Sequence, residues 1–141
     1  WAPSIADLAE PHDAPFAEAI RQLEDFVDLP PEDAAAMISR LGWEPETHIS
    51  QEGIAPFVVP SVLWSLYSVF RNPEDYWATI CTAIMAGGDV DTTASMAGAI
   101  SGAWLGIDAV PENLAKQLND NGAWTVGDLI ELARAASELC P

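Results

Sequence analysis

The sequence is poor in basic residues. It holds 5 lysine and arginine residues against 22 aspartate and glutamate residues, so its formal net charge is −17 at pH 7. Binding to nucleic acid or to an anionic membrane through charge depends on a basic patch, and the five cations are scattered along the chain. We therefore predict that the protein binds neither nucleic acid nor a membrane surface by this route.

Cysteine and long apolar runs are also scarce. Cys81 and Cys140 are too few and too far apart to predict a disulfide scaffold or a zinc site. The longest uncharged apolar runs, 56–70 and 92–107, are shorter than the roughly 20 residues that a membrane-spanning helix needs. No secretory signal opens the sequence, so we expect a cytoplasmic protein. The first residue, Trp1, indicates a processed, truncated or incompletely covered chain.

Apolar residues at helical spacing are abundant. Half of the 141 residues are hydrophobic, which is enough for one domain with a buried core. These residues recur every three or four positions, and no alternating, strand-like pattern exceeds a few residues. Pro31 and the pair Gly87–Gly88 mark helix ends. The predicted fold class is all-α.

Two predicted helices carry more detailed expectations. Asn72 is expected to cap the helix that follows it, with Pro73 in the first turn. The apolar stripe of that helix comprises Tyr76, Trp77, Ile80, Cys81 and Ile84. In the next helix, predicted over 92–105, small residues fall every fourth position, and they are Ala94, Gly98, Gly102 and Gly106. Because each glycine inside a helix costs about 0.5–1 kcal/mol relative to alanine, this side predicts tight packing against a neighbour.

The residues that carry chemistry lie between these two helices, in the sequence GGDVDTT at 87–93. Asp89 and Asp91 stand one residue apart, and Thr92 follows at the start of a helix. Carboxylate and hydroxyl oxygens are hard ligands that suit Mg²⁺, Mn²⁺ or Ca²⁺. The spacing alone leaves two interpretations equally open: a metal site, or a helix cap formed by Asp91 with Asp89 solvated.

Three other interpretations of this segment are disfavoured. A D-x-D-x-T phosphatase motif should follow a hydrophobic strand, whereas a helical pattern and two glycines precede Asp89. An EF-hand loop needs an acid at position 5 and a glutamate at position 12, where this chain has Thr93 and Ile100. Serine hydrolase chemistry lacks its G-x-S-x-G segment, and the only histidines are His12 and His48.

The segment 87–94, continued by the small-residue helix at 96–103, resembles the C-terminal signature of the ADP-ribosylglycohydrolase family. That signature reads G-G-D-[TV]-D-T followed by a helix rich in alanine and glycine. Softer similarity extends upstream through Gly53–Ile54 and downstream through 110–112, so the resemblance covers nearly the whole chain. It implies an all-α, multi-helix orthogonal bundle of about twice this length, of which residues 1–141 form the C-terminal half.

The resemblance also implies a site and an activity. It assigns Asp89, Asp91 and Thr92 as ligands of two Mg²⁺ or Mn²⁺ ions that are shared with the missing N-terminal half. It places Gly53 and Ile54 beside the substrate, although ordinary loop packing explains Ile54 somewhat better. The implied reaction is hydrolysis of the glycosidic bond between ADP-ribose and a protein or small molecule. The catalytic acid is expected in the missing half.

A chain with half of the metal ligands is expected to be inactive when isolated. We expect it to associate with a complementary N-terminal chain or with itself, because its helices would lack apolar partners. The alternative is a non-catalytic helical binding or assembly fragment derived from the same fold. A complementary chain that carries a T-D-D motif would favour the enzyme, and the lack of such a chain would favour the alternative.

Overall fold

The structure is a computed structural model that describes residues 2–41 and 53–139. His48 and Cys140 lie outside these ranges. The α-helices are α1 (Ala2–Ala9), α2 (Ala14–Phe26), α3 (Pro31–Ile38), α4 (Val58–Arg71), α5 (Tyr76–Met85), α6 (Val90–Leu105), α7 (Glu112–Ala115) and α8 (Val126–Leu139). A 3₁₀ turn, Ile107–Ala109, follows α6. Within the described ranges, β-structure is limited to isolated bridges, so the all-α prediction is confirmed.

Helix α4 lies at the centre of the core. It packs against α2, α3, α5 and α6, while α1 packs against α2 and α5 packs against α6. The α4 side chains of Leu63, Trp64 and Tyr67 are fully buried. The Trp64 and Tyr67 rings stack with their centroids 4.8 Å apart, and the Tyr67 hydroxyl donates a hydrogen bond of 2.9 Å to the carbonyl oxygen of Leu29. Helix α4 therefore joins the N-terminal helices to the α5–α6 pair.

The start of α5 differs from the sequence prediction. Asp75 caps this helix, because its carboxylate accepts a hydrogen bond of 2.9 Å from the amide of Ala78. The predicted cap, Asn72, instead ends α4, and its side-chain amide lies 3.1 Å from the carbonyl oxygen of Ser68 and 3.0 Å from the hydroxyl of Thr82. The prediction was wrong because Asp75 stands directly before the first apolar residue of α5, whereas the Asn72 side chain is engaged by Ser68 and Thr82.

The burial pattern of α5 also differs from its apolar stripe. The buried residues are the small side chains Thr79, Thr82 and Ala83, whereas Trp77 and Ile84 are exposed. Small side chains let α5 approach its neighbours closely, so the large ones on the other side remain in solvent. Of the predicted stripe, Tyr76 and Ile80 are half-buried, whereas Trp77, Cys81 and Ile84 are exposed, so large apolar residues only partly identified the packed face of α5.

The small side of α6 packs tightly, as predicted. A Cβ atom added to Gly98 would lie 3.0 Å from Ile80 Cδ1 and 3.2 Å from the Tyr76 hydroxyl, both on α5. Gly106 does not belong to this side, because it ends α6 with a φ of +82°. The fourfold periodicity thus correctly predicted close packing at Gly98, but it extended past the end of the helix at Gly106.

Helix α8 begins where the sequence predicts. The amide and the hydroxyl of Thr125 donate to one carboxylate oxygen of Asp128, at 2.7 and 2.6 Å. Its leucines remain exposed, and they include Leu129, Leu132 and Leu139. Across 2–41 and 53–139, no helix is both long and apolar enough to cross a membrane.

Candidate metal-binding turn

The turn between α5 and α6 is built on two glycines. Gly87 has a φ of +71° and Gly88 a φ of +80°, which is the left-handed region that glycine adopts without a steric penalty. Asp89 then occupies the N-cap position of α6, and Asp91 lies in its first turn. The prediction of a turn between two packed helices is therefore confirmed. The turn places Asp89, Asp91 and Thr92 together at one helix end.

Asp89 and Asp91 bring two carboxyl groups to the N-terminal end of α6. The pKa of Asp91 is lowered chiefly by a hydrogen bond with the Asp89 side chain, and further by the amides of Asp91 and Thr92. Positive charge at the N-terminus of a helix adds to the attraction for anions. Two adjacent carboxylates form a donor set that fits a hard divalent cation.

The helix-cap interpretation describes part of this arrangement. The Asp91 carboxylate lies in the first turn of α6, where the nearby amides of Asp91 and Thr92 help to lower its pKa. Asp89 holds the N-cap position, yet its side chain makes no capping hydrogen bond. The Asp89 carboxylate is therefore not occupied by the helix terminus.

The donor set in this chain is small. No group of three or more histidine, cysteine, aspartate or glutamate side chains is placed to hold a metal within the described ranges. The turn thus brings two carboxylates and the exposed hydroxyl of Thr92 to one place. A divalent cation would need further ligands from water or from another chain.

Gly53 and Ile54 lie directly against this turn. The Ile54 amide donates a hydrogen bond of 3.1 Å to the carbonyl oxygen of Gly87, and the Asp89 amide donates one of 2.8 Å to the carbonyl oxygen of Ile54. These contacts form a parallel bridge between Ile54 and Gly88. The structure thus joins the two predicted groups of site residues through their backbones.

Gly53 and Ile54 differ in how deeply they are buried. Ile54 is fully buried in the hydrophobic core, whereas Gly53 is half-buried. Ile54 therefore contacts protein in this structure, as the packing interpretation describes. Gly53 is the member of the pair that reaches the surface beside the turn.

Thr93 was not singled out by the sequence reasoning. It is fully buried, and its hydroxyl lies 3.2 Å from the carbonyl oxygen of Asp89 and 3.4 Å from that of Ala83. The Ser65 hydroxyl of α4 lies 3.1 Å from the carbonyl oxygen of Thr93. A sequence signal for the burial of Thr93 was present. Thr93, Ala97 and Ser101 repeat every fourth position, and all three are buried along α6.

Comparison with known proteins identifies the family. The sequence model described as ADP-ribosylglycohydrolase matches residues 2–141. The chain belongs to the ADP-ribosylglycohydrolase family. This membership confirms the resemblance seen in the GGDVDTT segment and its flanks.

Several curated relatives carry the name ADP-ribosylhydrolase ARH3. The chain is 32% identical to the Homo sapiens protein over 124 residues, which are 79% of this chain and 31% of that relative. It is 31% identical to the Danio rerio protein over 118 residues, which are 82% of this chain and 30% of that relative. The chain therefore spans less than a third of the length of either relative. No solved structure matches it.

Proposed function

We propose that residues 1–141 form the C-terminal part of an ADP-ribosylglycohydrolase domain and supply one side of a binuclear Mg²⁺ or Mn²⁺ centre. The observation that carries this proposal is the turn at Gly87 and Gly88, which places the carboxylates of Asp89 and Asp91 together at the start of α6. Membership of the family and the name that the relatives carry support an ADP-ribosylhydrolase activity. The proposed reaction is hydrolysis of the glycosidic bond in ADP-ribosylated proteins or small ADP-ribose conjugates.

Each residue of the turn has a defined part in this proposal. When bound, divalent ions would hold ribose hydroxyls, orient a water molecule and stabilise developing charge. Asp89 and Asp91 provide carboxylate ligands, and Thr92 provides a neutral hydroxyl. Gly53 borders the substrate beside the turn, with Ile54 buried behind it. The catalytic acid and the remaining ligands come from an N-terminal portion that these 141 residues do not contain.

Exposed apolar side chains support association with that N-terminal portion. Trp77 and Met85 of α5 and Trp104 of α6 are exposed by 46, 59 and 60%. An apolar cavity of about 490 Å³ also opens between α1, α4 and α6. Large exposed apolar areas are typical of interaction sites. Because the net charge of −17 opposes self-association, a complementary chain is the better partner, with a second copy as the alternative.

The second candidate is a non-catalytic helical fragment used in assembly. The same exposed apolar surface favours it, as does the small donor set among the described residues. For either candidate we propose a cytoplasmic location, because Cys81 is exposed and free, as is usual in a reducing compartment.

The test is the release of ADP-ribose from substrates with arginine, serine and acetyl-ester linkages at increasing Mn²⁺ concentration. The chain alone is expected to show no release, and a mixture with a complementary T-D-D-containing chain is expected to show Mn²⁺-dependent release. Asp89→Asn in the mixture is the matched inactive control. Release that does not depend on Mn²⁺ would contradict the enzymatic proposal. So would the failure of the mixture both to release ADP-ribose and to form a complex, and the assembly fragment would then be the remaining candidate.

A further inference from the structure

We propose that Gly53 and Gly88 are positioning residues for the metal-binding turn, and that they act through a backbone contact which excludes any side chain. This inference rests on the proposed function, because the ligand that they position is Asp89. It assigns to Gly53 a role in addition to bordering the substrate. It also assigns a role to Gly88, which is not itself a ligand.

The contact between the two segments holds the backbone of Asp89 directly. The Asp89 amide donates to the carbonyl oxygen of Ile54 at 2.8 Å, while the Ile54 amide donates to the carbonyl oxygen of Gly87 at 3.1 Å. These two hydrogen bonds enclose Gly88 from either side. The direction in which the Asp89 carboxylate leaves the turn therefore depends on where Ile54 lies.

The two glycines allow this contact because each lacks a Cβ atom. A Cβ atom on Gly53 would lie 2.3 Å from the carbonyl carbon of Gly87 and 2.5 Å from its oxygen. A Cβ atom on Gly88 would lie 2.2 Å from the carbonyl oxygen of Ile54. All of these are backbone atoms, so the overlap can be relieved only by moving one segment away from the other.

The segment around Ile54 is itself firmly held. The Ile54 side chain is fully buried in the core, and the carbonyl oxygen of Ala55 accepts a hydrogen bond of 3.1 Å from the Ser61 hydroxyl of α4. Because the Ile54 segment resists movement, a side chain at Gly53 or Gly88 would displace the metal-binding turn instead. Asp89 would move with the turn. Partners that orient metal ligands typically contribute 10–100-fold to metal affinity.

The chain offers matched controls for this idea. Gly106 and Gly122 have φ values of +82° and +88°, yet a Cβ atom on either would meet nothing within 4 Å. Replacing any of the four glycines with alanine imposes a similar backbone strain. Only Gly53→Ala and Gly88→Ala add an overlap with backbone atoms. A difference in Mn²⁺ affinity between these two variants and the two controls therefore reports the backbone contact itself.

A gentler pair of variants loosens the contact without a clash. Ser61→Ala removes the hydroxyl that holds Ala55, whereas Ser68→Ala removes a buried hydroxyl of the same helix that donates only to the carbonyl oxygen of Trp64, at 2.9 Å. Both variants lose one buried hydrogen bond. Ser61→Ala therefore tests the contact even if the glycine variants fail to fold.

The experiment measures Mn²⁺ affinity of the whole 141-residue chain by electron paramagnetic resonance of the free ion, with urea unfolding of each variant in parallel. We expect Gly53→Ala and Gly88→Ala to weaken affinity by about tenfold or more, and Ser61→Ala by about threefold. Gly106→Ala, Gly122→Ala and Ser68→Ala are expected to stay within about twofold of the parent chain. Affinity should not follow the urea midpoint across this set.

The outcomes separate this inference from the proposed function. If Asp89→Asn leaves Mn²⁺ affinity unchanged, the proposed metal site is wrong, and the positioning role that depends on it is wrong as well. If Asp89→Asn weakens binding while Gly53→Ala, Gly88→Ala and Ser61→Ala match their controls, the metal site stands and the positioning role is overturned. An affinity that simply tracks stability also overturns the positioning role.

Discussion

The indole N–H of Trp64 donates a hydrogen bond of 2.9 Å to the carbonyl oxygen of Ala83, and both residues are fully buried. Ala83 lies in the last turn of α5, where carbonyl groups lack partners within the helix. The bond satisfies this carbonyl and joins α4 to the end of α5, directly before Gly87. The approach to the metal-binding turn is thus held by the core.

Replacing Trp64 with phenylalanine should destabilise the protein. The variant removes the donor to Ala83 and part of a buried ring system, so we expect a loss of about 1–3 kcal/mol in the free energy of unfolding. Urea denaturation measures it. Trp77→Phe is the control, because Trp77 is 46% exposed and its replacement should change stability by less than about 0.5 kcal/mol. Equal losses in the two variants would contradict this account of Trp64.

The acids of the turn should be essential within a complete assembly. Asp89→Asn and Asp91→Asn each replace a carboxylate with a neutral oxygen, so Mn²⁺-dependent hydrolysis should be abolished while the circular dichroism spectrum stays helical. Thr92→Ala should be milder, because water can replace a neutral hydroxyl ligand. If Asp91 only stabilises the start of α6, asparagine is a good substitute and activity should persist. Wild-type activity in Asp91→Asn would remove this residue from the metal site.

Two glycines of α6 should respond in opposite ways to alanine. Gly102→Ala brings a Cβ atom no closer than 3.6 Å to Tyr76, so the gain in helix propensity should stabilise the chain by about 0.5–1 kcal/mol. Gly98→Ala places the atom 3.0 Å from Ile80 Cδ1 and 3.2 Å from the Tyr76 hydroxyl, so these side chains must move by a few tenths of an ångström and the gain should be cancelled or reversed. Thermal unfolding of both variants decides the matter. A Gly98→Ala protein as stable as Gly102→Ala would show that the side chains of Ile80 and Tyr76 accommodate the added atom without cost.

The cap of α8 should produce a local pH dependence. Hydrogen bonds from the Thr125 hydroxyl, and then from its amide, lower the pKa of Asp128 below 3.8. A lowered pKa in the folded state means that the stabilising effect is present above the unfolded value. That effect is lost as the pH falls through the folded value. In Thr125→Val the pKa of Asp128 should rise toward 3.8, as followed by carboxyl NMR titration. No movement would show that the hydroxyl is not the main cause.

Much of the helical fold and the location of the turn could be predicted from the sequence. Apolar periodicity and proline positions are local signals, and they predicted α2, α4 and α6 well. The cap at Asp75 was missed because two polar residues competed for one helix start, and neighbours in space decided between them. The packed face of α5 was only partly predicted, because close helix packing also selects small side chains such as Thr79 and Ala83, which periodicity of large residues does not reveal.

The arrangement of the site was only partly predictable. The GGDVDTT segment placed Asp89 and Asp91 at a helix start, as the structure confirms. The bridge between Ile54 and Gly88 consists of backbone atoms from distant parts of the chain, so no pattern of side chains predicts it. Its one trace in the sequence is a glycine on each side, at Gly53 and Gly88, and glycine alone does not specify its partner.

The central position of α4 has a consequence for cooperativity. The pairs α1–α2 and α5–α6 join helices that are neighbours in sequence, whereas α4 contacts members of both groups. Without α4 the two pairs would be separate small units with little core of their own. The amide protons of α4 near Trp64 should therefore exchange with solvent only through global unfolding, while those of the exposed α8 exchange through local fraying.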